Sequence, residues 1–193
     1  MDLERYLPDI AIAAALAWGS GLRAYAVIFA VGLAGALGWM ELPGHLRLLE
    51  HPLVLGASGL MTAVEFFADK LPWLDTAWDA VHSFIRIPAG AALAAAVFGD
   101  SGAAIALAAA ILGGTLAAGA HLAKAGTRAA INASPEPFTN WTASLAEDAI
   151  VPFGLWLAVA HPLAFFVLLA AFLVAAALLV RLIWQGLRRL LRA

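Results

Sequence analysis

Glu65 and Asp69 stand four residues apart, and Asp75, Asp79, His82 and Arg86 follow within the next seventeen positions. Four carboxylates, an imidazole and a guanidinium in one short stretch can hold a cation, carry a proton, or pair with bases elsewhere. Residues four apart share a helix face, so Glu65 and Asp69 are the first candidates for metal ligands. Asp75 and Asp79 would add oxygens for a hard divalent cation, and His82 a nitrogen for a softer one. The spacings of four, three and four from Asp75 to Arg86 put these residues on one helical stripe. They fit equally well the solvated polar face of an interfacial helix.

A second group can support or neutralise the first. His121, Lys124 and Arg128 recur at i, i+3 and i+7, one helical face, suited to salt bridges with the acids or to an anion. Lys70, Glu136, Asn140 and Asp148 belong to the same polar network, and Glu147 reads as half of a capping box with Ser144. Arg23 sits inside a long apolar segment beside Gly19-Ser20-Gly21. A guanidinium at that depth requires a carboxylate partner, such as Glu65 or Asp148. With no cysteine, thiolate metal sites are excluded. With no GxSxG, HExxH or P-loop pattern, the sequence nominates no catalytic residue and leans away from an enzyme.

These side chains need positioning elements, and the composition says which. The chain is 64% hydrophobic and 12% charged, and its apolar runs are continuous and rich in Ala and Leu. That pattern predicts an all-α, polytopic membrane protein rather than a barrel of alternating strands. Six spans are expected, at about 8–38, 52–70, 80–98, 102–124, 144–160 and 162–184, as a single transmembrane domain over residues 1–193. The first is expected to be retained and to break near Gly19–Gly21. Two charge-rich hairpins, 65–86 and 121–148, share a loose plan, hinting at a repeat of two-helix units over about 52–98 and 102–160. Arg181, Arg188, Arg189 and Arg192 set the C-terminus in the cytoplasm. Six spans then put the N-terminus there too, in an inner (plasma) membrane, and place the acids near the bilayer edge.

Three separated motifs also carry a resemblance: SGLRAY in the first span, EFFADKLPWLDTAWDAVH with a following IRIP, and SPEPFTN with a later ED. Together they resemble the membrane protein family DUF4126 over essentially the whole chain. The resemblance implies a helical membrane fold and supplies no activity.

The residues themselves lead to a small transporter or channel, for a cation, with its carboxylate-rich site on the cytoplasmic side. The alternatives are a non-catalytic membrane scaffold, and a lipid-headgroup binder or membrane enzyme in which the basic residues hold a phosphate. The expected ligand is a divalent cation. The expected partners are the lipid bilayer and, through small-residue faces such as Gly56-Ala57-Ser58-Gly59, a second copy of the chain. Nothing in the charge pattern points to nucleic acid.

Overall fold

The computed structural model describes residues 3–132 and 137–190, and among these it is helical, with no strand. Six α-helices follow in order: α1 Leu3–Ala36, α2 Pro52–Ala68, α3 Pro72–Val97, α4 Ala103–Asn132, α5 Pro137–Ala160 and α6 Pro162–Leu190. A 3-10 segment, Gly44–Glu50, links α1 to α2. Proline opens four of the six, where its missing N–H costs no hydrogen bond and its fixed φ suits the first turn. Segments within α1, α3, α4, α5 and α6 are long and apolar enough to cross a membrane, and α2 is a shorter apolar helix of 17 residues. The protein is a polytopic, membrane-type helical bundle.

α1 is two helical arms rather than one. Arg23 has non-helical torsions, φ −148° and ψ 78°, and the chain doubles back there. In a straight helix Gly19 and Val27 would be separated by about 12 Å along the axis. Here a Cβ on Gly19 would lie 2.8 Å from the Val27 side chain. Ile12 and Leu16 of the first arm share a 330 Å³ apolar cavity with Val31 and Ala34 of the second. The break falls two residues beyond the expected Gly19–Gly21, at the residue whose side chain is the most polar in the segment.

This reversal changes the course of the chain. Tyr6 and Ile10, early in the first arm, lie with Phe98 and Ser101 at the α3–α4 turn. The Arg23 tip instead meets Asp69, Ser144 and Asp148, on the α2–α3 turn and α5. α5 leads away from that end, from Asp148 at Arg23 to Val159 beside Ile12 and Trp39, and α6 runs back toward it after a one-residue turn. The first and last described residues therefore lie at opposite ends of the bundle, whereas one unbroken first crossing would put them together.

α1 is the most buried of the spans and α6 the least. Trp18 anchors the core, with edge-on ring contacts at 6.2 Å to Phe165 and 5.6 Å to Phe172. α3 packs mainly on α4 and α1, not on α2. The two charge-rich hairpins are thus opened out, and their polar faces turn onto each other around the Arg23 tip. Burying those charges together removes the cost of leaving any one unpaired in an apolar bundle.

Candidate functional site

At the break, the Arg23 guanidinium reaches Asp69 Oδ2 at 2.9 Å and Asp148 Oδ1 at 3.1 Å, and donates to Ser144 Oγ at 3.1 Å. The buried arginine thus has the carboxylate partners that its position demands. Asp148 is one of the two named from the sequence, and Asp69 takes the place of Glu65. Glu65 instead pairs with Arg86 at 2.6 Å, and Arg86 also donates to Asp79. Arg128 holds Glu147 through two contacts, 3.2 Å from Nε and 3.1 Å from Nη2, and lies 3.8 Å from Asp75. It also donates to the Asn140 side chain and, at 3.3 Å, to the Asp69 carbonyl.

Lys124 joins the halves: its ammonium is 3.0 Å from Asp69 Oδ2, 3.2 Å from Glu147 Oε2 and 3.5 Å from Asp79 Oδ1. It also donates at 3.3 Å to the Leu22 carbonyl, just before the α1 break. Asn140 Nδ2 donates to the Asp69 carbonyl at 3.1 Å. Lys70 lies at the rim, 3.6 Å from Asp148 and over the Phe66 ring.

Four of the five ligand candidates converge. Asp69, Asp75 and Asp79 present oxygens within 4.8 Å of one another, and Glu65 joins them through Arg86. The carboxyls of Glu65, Asp69 and Asp75 are fully buried and Asp79 is 3% exposed. That overturns the solvated-face reading of Asp75 and Asp79. His82 stands aside: its Nδ1 bonds the Trp78 carbonyl at 2.8 Å, and its ring stacks on Trp78 at 4.0 Å. His121 borders the network, its Nδ1 3.4 Å from the Arg86 guanidinium and its Nε2 bonded to Ser83 Oγ at 2.7 Å. Glu136 lies outside the described residues.

Two residues were missed. Ser144 lies inside α5 rather than at its start, so it caps nothing, and Glu147 is an ion-pair partner of Arg128 and Lys124. The available signal was Asn140, Ser144 and Glu147 at i, i+4 and i+7, one helix face. Ser144 at the entry to an apolar run imitates a cap, and that local pattern masked the longer one.

Among the described residues the network contains six carboxylates (Glu65, Asp69, Asp75, Asp79, Glu147, Asp148) and five cationic groups (Arg23, Lys70, Arg86, Lys124, Arg128). One negative charge is in excess. Glu65 Oε2, Asp69 Oδ1, Asp75 Oδ1 and Asp79 Oδ2 are buried without a hydrogen bond. The network runs from Asp75, in the first turn of α3, down to Arg86 and Asp148, near the midpoints of α3 and α5. A crevice of 190 Å³ between α3 and α4 reaches it, lined by Asp79, Ser83, His121 and Arg128 together with three alanines.

Asp75 lies before the span that starts at Ala77, and burial pushes its carboxyl up to about 6, against the pull of Arg128. Its raised value means the folded state binds a proton that the unfolded state releases between pH 3.8 and about 6. This group's contribution to stability therefore falls as pH rises through that window. Thermal melts from pH 4 to pH 7 should show a smaller decline over the window for Asp75→Asn than for the parent. Parallel curves for the two proteins would mean that Asp75 is ionised in the fold throughout.

No curated protein and no solved structure matches the chain. A family model described as Domain of unknown function (DUF4126) matches residues 10–182, spanning both arms of α1, every member of the charge network and most of α6, and the chain belongs to that family.

Proposed function

We propose that this protein is a small membrane transporter for a cation, and that it works through the charge network at the Arg23 break. The observation that supports the reading best is the broken helix itself. Arg23 and the Leu22 carbonyl lie inside the bundle, facing buried carboxylates from the end of α2, the first two turns of α3 and the middle of α5. Irregular backbone at membrane depth is tolerated where it is enclosed by protein or lines a cavity, and interrupted helices form ion sites in transporters.

Stability alone is a poor reason for so many buried charges. Replacing buried ion pairs by apolar residues is often neutral or stabilising, and ionisable groups inside membranes mark ion and proton pathways. Five buried carboxylate oxygens without hydrogen bonds, on Glu65, Asp69, Asp75, Asp79 and Asp148, leave capacity for a ligand. In an inner membrane the positive-inside tendency, through Arg181 and Arg188, would turn the network end to the cytoplasm. The first described residues would then face the opposite side.

A scaffold is the second reading, favoured by the closure of the network: Glu65, Asp69 and Asp79 each have an ion-pair partner within 3 Å. Reconstitution into liposomes containing cation- and pH-sensitive dyes separates the two. The expected result is cation-dependent flux, lost in Glu65→Gln and Asp69→Asn variants that still elute as folded protein. Absence of flux for every alkali and divalent cation tested, with the same variants merely less stable, would establish the scaffold.

A further inference from the structure

Lys124 has the surroundings of a bound ion. Its ammonium is fully buried and faces four oxygens from four parts of the fold. These are Asp69 Oδ2 at the α2–α3 turn, Asp79 Oδ1 on α3, Glu147 Oε2 on α5 and the Leu22 carbonyl at the α1 break, at 3.0–3.5 Å. Arg23 and Arg128 share Asp69 Oδ2 with it, at 2.9 and 3.9 Å. Arg86 shares Asp79, and His121 stands one turn earlier on α4. Asp69 Oδ1 and Asp79 Oδ2, the second oxygens of two of its ligands, are buried without hydrogen bonds. They are oxygens that a single ammonium leaves unused.

The structure assigns these four oxygens as a binding site for a monovalent cation, occupied in this state by the protein's own Lys124 ammonium. A free cation binds by displacing that ammonium. The charge of the present occupant favours a monovalent ion over a divalent one. Exchanging one monocation for another leaves the charge at the oxygens unchanged when the displaced Lys124 ammonium moves out to solvent, giving up its pairs with Asp69, Asp79 and Glu147 to the incoming ion.

The freed Leu22 carbonyl adds a neutral oxygen, the ligand type that replaces the hydration shell of alkali ions in selectivity filters. The crevice between α3 and α4 shares Asp79 with the site and opens a route to it past Ser83, His121 and Arg128. For its purpose, though not for the site, the inference rests on the transport reading: a substrate that competes with a tethered cation is held weakly enough to leave.

Chemical rescue tests the site. Lys124→Ala should melt well below the parent in N-methylglucamine chloride. Ammonium or potassium chloride at equal ionic strength should restore at least half of the lost midpoint, saturably, while the parent shifts far less. Adding Asp79→Asn to Lys124→Ala should abolish the rescue. Equal midpoints in all salts would overturn the site.

Should Lys124→Ala not fold, the parent protein carries the test. Acetylation of Lys124 by an anhydride, followed by mass spectrometry, should be negligible in N-methylglucamine chloride and rise several-fold with potassium or rubidium. Labelling indifferent to the cation would overturn the displacement. Rescue without liposome flux supports the site and counts against transport, whereas flux without rescue or cation-dependent labelling overturns this site alone.

Discussion

Arg86→Met is expected to destabilise the protein by about 3–5 kcal/mol, the cost of leaving buried charge without its partner. Arg86 is fully buried between Glu65, at 2.6 Å, and Asp79. Methionine keeps much of the side-chain volume, so the loss reports charge rather than a cavity. Two carboxylates would then face apolar surroundings with only Lys124, 3.5 Å from Asp79, nearby. Adding Glu65→Gln should recover part of the loss, because the double variant removes a charge of each sign. The four corners of this cycle, compared by melting in one detergent, should show coupling of the order of 1–3 kcal/mol. An Arg86→Met protein as stable as the parent would mean that Glu65 and Asp79 are neutral in the fold.

The second large effect is steric. A Cβ on Gly21 would overlap the Ala117 carbonyl oxygen and lie 2.7 Å from the Ala120 side chain. Gly21→Val should therefore force α1 away from α4 at a cost of about 1–3 kcal/mol. The same displacement would pull the Leu22 carbonyl from Lys124, so cation flux should fall with the melting temperature. Gly119→Ala on the same α4 is the control, because nothing lies within 4 Å of its added Cβ. Gly119→Ala should be neutral or slightly stabilising through helix propensity. Equal melting of the two variants would show that α1 and α4 are not in contact at Gly21.

Much of the bundle was legible in the sequence because it is written in local terms. Continuous apolar runs specify helices that cross a membrane. Prolines at positions 52, 72, 137 and 162 mark four helix starts, where first-turn geometry suits them. The spacing of His121, Lys124 and Arg128 put three cationic or titratable groups on one face, and all three are buried in α4. The cost of an unpaired guanidinium in an apolar segment demanded a carboxylate for Arg23, and Asp69 and Asp148 supply it.

Only the tertiary structure decided which acid meets which base and how deep the meeting lies. Arg23 and Asp69 are 46 residues apart in the chain, and helical periodicity carries no information over that distance. Glu147 looked like a cap because a Ser-x-x-Glu pattern is the same string whether it opens a helix or lies inside one. The break near Gly19–Gly21 was expected, but neither its residue nor the reversal of the chain was. Gly19 and Gly21 permit a reversal, yet the chain turns at Arg23, where doubling back brings the guanidinium to Asp69, Ser144 and Asp148. Composition determined that this chain would be a helical membrane protein with charge it must bury. Where the charges gather was decided by packing, because the free energy of a buried ion pair belongs to both partners at once and to neither stretch of sequence alone.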